Sequence, residues 1–189
     1  MKFAKMQGTG NDYIYVNCFD ESIDDPPAAA KFLSDRHFGI GADGLMTLAA
    51  SAVSGCDCSM RYYNADGSPG EMCGNGGRCV AKYVCDSKMT DKDMISLETL
   101  SGIKYINIYK TDGKVTSAQV NMGSPMLKSR DIPALIESDT AISRPLEVGE
   151  KVYSVTCLSM GNPHCVVFSE NIDSINIQKI GAAFENHPA

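Results

Sequence analysis

The sequence lacks an excess of positive charge. It carries 17 Lys and Arg against 23 Asp and Glu, a formal net charge of −6, and contains no block of basic residues. Because binding to a phosphate backbone needs a basic surface, this deficit argues against a nucleic-acid partner. An apolar run long enough to span a membrane is also missing, which argues against a membrane location.

The first residues lack a secretory signal. Lys2 and Lys5 are followed by the polar residues 7–12, where a signal would continue with an apolar segment. We therefore expect a cytoplasmic protein in which the eight cysteines stay reduced.

Paired zinc-binding cysteines are missing as well. Cys56 and Cys58 are too close for a Cys-x-x-Cys pair, Cys73 and Cys79 are too far apart, and no His-x-x-x-His pair accompanies them. The spacing therefore predicts that the protein binds no metal. A cysteine-rich metal protein is the alternative, which metal analysis of the purified protein would reveal.

The residues that are present predict a mixed α/β (α+β) protein. Strands are expected at residues 2–6, 13–18, 45–49, 58–63, 94–100, 103–109, 115–122, 151–160 and 164–168, and helices at 28–35, 75–86 and 175–186. The helix at 75–86 carries only a narrow polar stripe, Arg78, Lys82 and Asp86, which predicts that most of its surface is buried. We expect two domains, residues 1–120 and 121–189.

The strongest chemical signal lies where this buried helix begins. Cys73 stands just before it, and three glycines, at positions 74, 76 and 77, are expected to let a ligand approach the backbone closely. The first N–H groups of a helix lack intrahelical partners and carry partial positive charge. Such a position lowers the pKa of a thiol from ~8.5 toward ~3.5–7.5 and also binds carboxylates. The alternative is a structural cysteine, but the glycines would then weaken the helix without benefit.

This combination predicts abstraction of a proton next to a carboxylate. The helix start would bind the carboxylate and stabilise the charge that develops on it, while the thiolate of Cys73 takes the proton as a general base. Inversion at the carbon also needs a group on the opposite face that returns a proton. We therefore expect a small-molecule amino-acid substrate.

Four segments of the sequence resemble the diaminopimelate epimerase family. They occur in the order of that family and reach from one end of the chain to the other. They are MQGTGNDY at residues 6–13, HFGIGADG at 37–44, NADGSPGEMCGNGGRC at 64–79 and GNPH at 161–164.

The resemblance implies two similar halves, each a curled mixed sheet around a central helix, with the second half incomplete here. It implies interconversion of LL- and meso-diaminopimelate, in lysine and cell-wall precursor synthesis, with no pyridoxal phosphate or metal. Cys73 would be one of two catalytic thiols. The implied substrate-binding residues are Asn11, Asn64, Gly74, Asn75 and Asn162, with His164 as an auxiliary residue.

The sequence departs from the family pattern at two points. Many relatives carry Gln at position 44, where this chain has Gly44, so one expected contact with the substrate is missing and water is expected to replace it. The family also continues into a Glu-Arg pair and a Gly-Cys-Gly-Thr motif with the second thiol, which residues 1–189 do not contain. Cys157 and Cys165 lack flanking glycines, so neither is expected to replace it. We therefore expect residues 1–189 alone to be inactive.

Several alternatives stay open at this point. They are an isomerase resembling proline racemase or PhzF, and a ligand-binding fragment without catalysis. Residues 39–44 match the dinucleotide-binding pattern Gly-x-Gly-x-x-Gly, but they are expected to follow a helix and precede a strand, the reverse of what nucleotide binding needs. A homodimer is also left open.

Overall fold

The computed structural model describes residues 1–189 and divides into two compact units, Met1–Met122 and Gly123–Ala189. The first unit contains strands β1 (Ala4–Gly8), β2 (Asn11–Asn17), β3 (Gly44–Ala49), β4 (Cys58–Asn64), β5 (Pro69–Gly70), β6 (Met94–Thr99), β7 (Gly102–Thr111) and β8 (Lys114–Val120), and helices α1 (Pro26–Ser34) and α2 (Gly74–Asp86). These strands form one mixed sheet in the order β1-β2-β3-β4-β6-β7-β8, with β5 paired to β4.

The sheet curls around α2. This helix contacts β1 and β2 near one edge of the sheet and β7 and β8 near the other. Its residues Gly76, Gly77, Cys79, Val80, Ala81 and Val84 are buried. Arg78, Lys82 and Asp86 are not buried, so the narrow polar stripe and the buried central helix predicted from the sequence are confirmed.

Strand β2 separates two hydrophobic clusters because its side chains alternate between the faces of the sheet. Tyr13 and Tyr15 pack in the cluster around α2, while Ile14 and Val16 pack in a second cluster with Ala30 of α1. All four residues are at most 3% exposed. The alternation therefore places the Tyr13 side chain on the face of the sheet that α2 covers.

Helix α1 begins where the sequence places a proline pair. Pro26 opens the helix, and the Asp25 carboxylate accepts a hydrogen bond from the Ala28 N–H at 3.0 Å. Proline is tolerated in a first turn because its missing N–H would have no intrahelical partner. Residues 39–43 then lie between α1 and β3, and Gly44 begins β3, the helix-before-strand order expected from the sequence.

The second unit contains a three-stranded antiparallel sheet and one surface helix. Its strands are β9 (Arg144–Val148), β10 (Lys151–Ser159) and β11 (Pro163–Val167), in the order β11-β10-β9, and its helix is α3 (Ile177–Glu185). No residue of α3 is buried, and it packs through Phe184 against Tyr153 with ring centroids 5.2 Å apart.

The strands and helices predicted from the sequence are confirmed, with bounds that differ by up to a few residues. The short strand β5 and the strand β9 were not predicted. Strand β9 contains Pro145 and two charged residues, Arg144 and Glu147, which obscure a strand pattern. It lies at an edge of its sheet, where proline is tolerated because one side of the strand donates no ladder hydrogen bonds.

A mixed α+β fold with a curled mixed sheet is confirmed. None of the three helices is both long enough and apolar enough to cross a membrane.

Gly44 begins β3 and packs tightly against β4. This residue is paired with Asn64 in the antiparallel register. A Cβ atom at position 44 would overlap the carbonyl oxygen of Tyr63 and would lie 2.8 Å from Cε2 of Tyr62. Glycine is therefore required here by the backbone and ring of the neighbouring strand.

Gly44→Ala is expected to lower the free energy of unfolding by about 3 kcal/mol, because the new methyl group must displace backbone rather than a flexible side chain. Urea denaturation followed by circular dichroism measures this value. The matched control is Gly77→Ala, whose Cβ would make only ordinary contacts, the nearest at 3.4 Å. Equal stability of the two variants would contradict the proposed packing at Gly44.

Candidate active site

Cys73 is the N-cap residue of α2. Its backbone is extended, with φ −125° and ψ 107°, and its sulfur accepts a hydrogen bond from the Gly76 N–H at 3.3 Å. The carbonyl of Cys73 accepts the Gly77 N–H at 2.8 Å. These hydrogen bonds fix Cys73 at the helix start. Because its side chain is only half-buried, solvent still reaches it.

The next two residues supply amides at the same place. Gly74 and Asn75 are the first residues of α2, and N–H groups at these positions have no intrahelical acceptor. A Cβ at Gly74 would make only an ordinary contact with the Met122 sulfur, at 3.4 Å. Packing within the protein therefore does not require glycine there. Because Gly74 has no side chain, its amide is open to a ligand.

Gly76 has a different role from the one predicted. The sequence suggested that all three glycines let a ligand approach the backbone. Gly76 is instead buried, and a Cβ at this position would overlap the side chain of Met46 in β3. Gly76 therefore allows α2 to pack closely against the sheet, which the sequence alone could not distinguish from ligand access.

Two tyrosines surround the Cys73 sulfur. The hydroxyl of Tyr13 lies 3.1 Å from Sγ, and the Tyr13 ring packs edge-on against Tyr62 with centroids 5.5 Å apart. Burial, followed by the hydrogen bond with Cys73, raises the pKa of Tyr13 above its ordinary value. Burial is also the main reason why the pKa of Tyr62 is raised. Both hydroxyls therefore stay protonated near neutral pH.

The side chains of Asn11 and Asn75 hydrogen-bond to each other. Asn75 Nδ2 donates to Asn11 Oδ1 at 2.8 Å, and Asn11 Nδ2 donates to Asp43 Oδ2 at 3.2 Å. Arg78 donates to Asn75 Oδ1. These bonds leave one Nδ2 hydrogen of Asn11 for a ligand, since an amide has two.

A charged cluster supports this amide pair from outside. Arg36 bonds to Asp12 at 2.7 Å and to Asp43 at 2.9 Å, and Lys5 also pairs with Asp12, at 3.0 Å. The Arg36 hydrogen bond is the main reason why the pKa of Asp12 lies below its ordinary value. Asp12 is therefore ionised near neutral pH. Asp43 accepts the hydrogen bond from Asn11 Nδ2 and so holds the Asn11 amide in one orientation.

Asn64 ends β4 close to Tyr62. Asn64 Oδ1 accepts the Tyr62 hydroxyl at 2.5 Å, and Asn64 Nδ2 donates to Ser68 Oγ at 2.9 Å. The Tyr62 ring occupies the space into which a side chain at Gly44 would extend. A side chain at position 44 would therefore meet this ring, and the expectation that water takes its place toward the substrate stays a prediction.

Asn162 and His164 belong to the second unit. They lie in and beside the turn between β10 and β11, and His164 Nε2 is 3.1 Å from Asn162 Oδ1. Cys157 and Cys165 face each other across the same two strands. Cys165 is exposed as a residue, but partial desolvation of its sulfur and then the neighbouring Cys157 raise its pKa to about 11, which makes Cys165 a thiol that holds its proton.

Sequence reasoning missed three residues that shape the site, Tyr13, Tyr62 and Asp43. The alternation along β2 could have placed Tyr13 on the same face as Tyr15, toward α2. No local pattern indicates the contacts of Tyr62 or Asp43, because their partners come from distant segments.

No group of three or more His, Cys, Asp or Glu side chains lies close enough together to hold a metal ion.

Most of the chain matches a known family of sequences. A family model described as diaminopimelate epimerase matches residues 3–128. The diaminopimelate epimerase of Agathobacter rectalis is 50% identical over 99% of this chain and 67% of its own length. Those of Acetivibrio thermocellus and of Methanococcus maripaludis strain S2 are each 49% identical, over 66% and 67% of their lengths. The chain thus spans about two thirds of the length of these relatives.

Solved structures with a similar fold are more distant in sequence. A hydroxyproline epimerase from Agrobacterium vitis has a TM-score of 0.59 and 14% identity, covering 95% of this chain and 52% of its own. A Bacillus anthracis protein of the PhzF family has a TM-score of 0.61 and 19% identity, covering 92% and 58%. These identities show a shared fold alone. The match to the family model and the identity to its full-length members together show that this chain belongs to the diaminopimelate epimerase family.

Proposed function

We propose that this chain supplies the first catalytic thiol of a diaminopimelate epimerase. Such an enzyme interconverts LL- and meso-2,6-diaminopimelate, in the synthesis of lysine and of peptidoglycan precursors. The observation that carries the proposal is the position of the Cys73 sulfur. It is half-buried at the start of a buried helix and lies next to two amides that have no acceptor within that helix.

Cys73 acts as the general base on one face of the substrate. As a thiolate it takes the α-proton, so that an S–H bond forms while the C–H bond breaks and its electron pair stays on the substrate. The electron pair delocalises into the adjacent carboxylate, whose negative charge increases. Donors already aimed at that carboxylate lower the barrier because they need no reorganisation during the reaction.

The N–H groups of Gly74 and Asn75 are the proposed donors to this carboxylate. They lie within two residues of the thiol and point out of the helix start, where the helix dipole favours an anion. The Asn75 side chain bonds to Asn11 and Arg78, and the donor assigned to the carboxylate is the Asn75 backbone N–H.

The remaining polar groups of the substrate are assigned to asparagines. Asn11 and Asn64 offer amide atoms beside the Cys73 region in the first unit, and Asn162 offers one in the second unit, with His164 as its hydrogen-bonded neighbour. A substrate with an amino group and a carboxylate at its far end needs both acceptors and donors, and an amide provides both.

The proposed second thiol lies outside residues 1–189. It returns a proton to the opposite face, which inverts the carbon. Of the cysteines in the second unit, Cys165 holds its proton because partial desolvation of its sulfur and the neighbouring Cys157 raise its pKa to about 11. A base must lose its proton near the working pH. Cys157 is opposite it on β10 and not at a helix start.

A cytoplasmic location is part of the proposal. All eight cysteines are free in the structure, and free thiols persist in compartments that are kept reducing.

Cys73→Ala is expected to reduce epimerase activity by about 100-fold to 10,000-fold, the usual contribution of a general base. The measurement is the exchange of the α-hydrogen of diaminopimelate with deuterated water, catalysed by the complete product of the gene that encodes these residues. Cys85→Ala, on the same helix but twelve residues further along, is the matched control and should retain activity.

Full activity of Cys73→Ala would overturn the proposed mechanism, provided that thermal denaturation shows both variants folded. A panel that includes proline and hydroxyproline tests the substrate class. Exchange of proline rather than diaminopimelate would favour a racemase, and no exchange with any amino acid by the unmodified protein would favour a ligand-binding protein without catalysis.

Residues 1–189 alone are expected to produce no inversion, because they present only one of the two proposed thiols. Chiral chromatography of LL-diaminopimelate after incubation with the purified 189-residue chain measures this directly. Formation of the meso isomer by that chain would show that the second base lies within these residues.

A further inference from the structure

Tyr13 places a buried hydroxyl directly against the Cys73 sulfur. The residue is only 3% exposed, and its hydroxyl oxygen lies 3.1 Å from Sγ. A buried tyrosine hydroxyl needs a hydrogen-bond partner, because leaving it without one costs free energy. The position of the ring is fixed by its place on β2 and by edge-on packing against Tyr15 and Tyr62.

The direction of this hydrogen bond depends on the state of Cys73. Either atom is able to donate while the sulfur is protonated. Once Cys73 is a thiolate, the sulfur only accepts, and Tyr13 keeps its own proton because burial raises the pKa of Tyr13. The thiolate then receives two converging donors, the Tyr13 O–H and the Gly76 N–H.

The groups around the sulfur contain no cation that hydrogen-bonds to it. Tyr62 on β4, Tyr15 on β2 and Cys79 on α2 face the same space, and burial raises the pKa of each of these three groups, which keeps them neutral. Asp43 is the nearby carboxylate, and it is paired with Arg36 at 2.9 Å. Stabilisation of the thiolate therefore depends on neutral O–H and N–H donors.

We propose that Tyr13 is a positioning residue that donates its hydroxyl hydrogen to the Cys73 thiolate, which stabilises the charged sulfur and fixes its direction. The inference rests on the proposed function, in which Cys73 is the base. A hydrogen bond to the charged form of a group favours that form, so loss of the hydroxyl should make Cys73 harder to ionise without removing the thiol.

The test compares Tyr13→Phe with the unmodified chain. Both are alkylated with iodoacetamide across pH about 5 to about 10, and modification of Cys73 is followed by peptide mass spectrometry. Hydrogen bonds to charged groups contribute enough to shift a titration by about one pH unit. The midpoint for Cys73 is therefore expected about one pH unit higher in Tyr13→Phe.

Tyr15→Phe is the matched control. Tyr15 lies on the same face of β2, is fully buried, and donates its hydroxyl hydrogen to the Gly76 carbonyl at 3.3 Å rather than to Cys73. Tyr15→Phe removes the same hydroxyl group from the same hydrophobic cluster. A general loosening of the core would therefore shift the Cys73 midpoint in both variants. An unchanged midpoint in Tyr13→Phe, or an equal shift in Tyr15→Phe, would overturn the proposal.

A second measurement does not require Tyr13→Phe to fold. In protein labelled with carbon-13 at tyrosine Cζ, one tyrosine signal should shift with the same pH midpoint as Cys73 alkylation, and this shift should vanish in Cys73→Ala. If no tyrosine signal follows Cys73, the proposal is wrong.

These outcomes are distinct from those that test the proposed function. Alkylation and the labelled tyrosine report on the thiol without turnover, so an unchanged midpoint removes only the role of Tyr13. In the complete enzyme, Tyr13→Phe should move the acidic limb of the kcat/KM profile upward by the same pH shift and leave KM nearly unchanged. A merely structural role would not move this limb.

Discussion

The site depends on one contact, the hydrogen bond from the Gly76 N–H to the Cys73 sulfur at the start of α2. It fixes the thiol beside two amides that the helix itself leaves without acceptors. The sheet curls around this helix, so the helix axis, and with it the sulfur, is held by strands from both sheet edges. A reactive thiol on a buried central helix is better positioned than one on a loop, since packing fixes its rotamer and direction.

The polar residues around this contact form connected layers. Arg36 forms an ion pair with Asp43, and Asp43 accepts a hydrogen bond from Asn11. Asn11 in turn accepts one from Asn75, next to the thiol. On the other side, Tyr62 fills the space beside Gly44 and bonds to Asn64. Gly44 and Tyr62 therefore act as a pair: the missing side chain at one position makes room for the ring at the other, so the residue at position 44 cannot be interpreted without its neighbour.

The helices, most strands and the cysteine at the start of α2 could be predicted from local sequence. Contacts between distant segments could not. The helix at α2 and its leading cysteine were recognisable because capping, glycine spacing and the polar stripe all lie within about fifteen residues. The contact between Tyr13 and Cys73 joins residues 60 positions apart, and no local periodicity reports such a pairing. Strand β9 was missed because Pro145 and two charges obscure its pattern, while Gly76 and Gly74 have the same sequence signal but opposite roles.

We expect the helix start to make Cys73 the reactive thiol of this chain. Brief alkylation near neutral pH, with each of the eight cysteines quantified by mass spectrometry, tests it most directly. Half-buried Cys73 should react before Cys165, although Cys165 is the exposed one. If Cys165 reacted first and Cys73 stayed unmodified, the sulfur would be an inert packing group and the proposed catalysis would be contradicted.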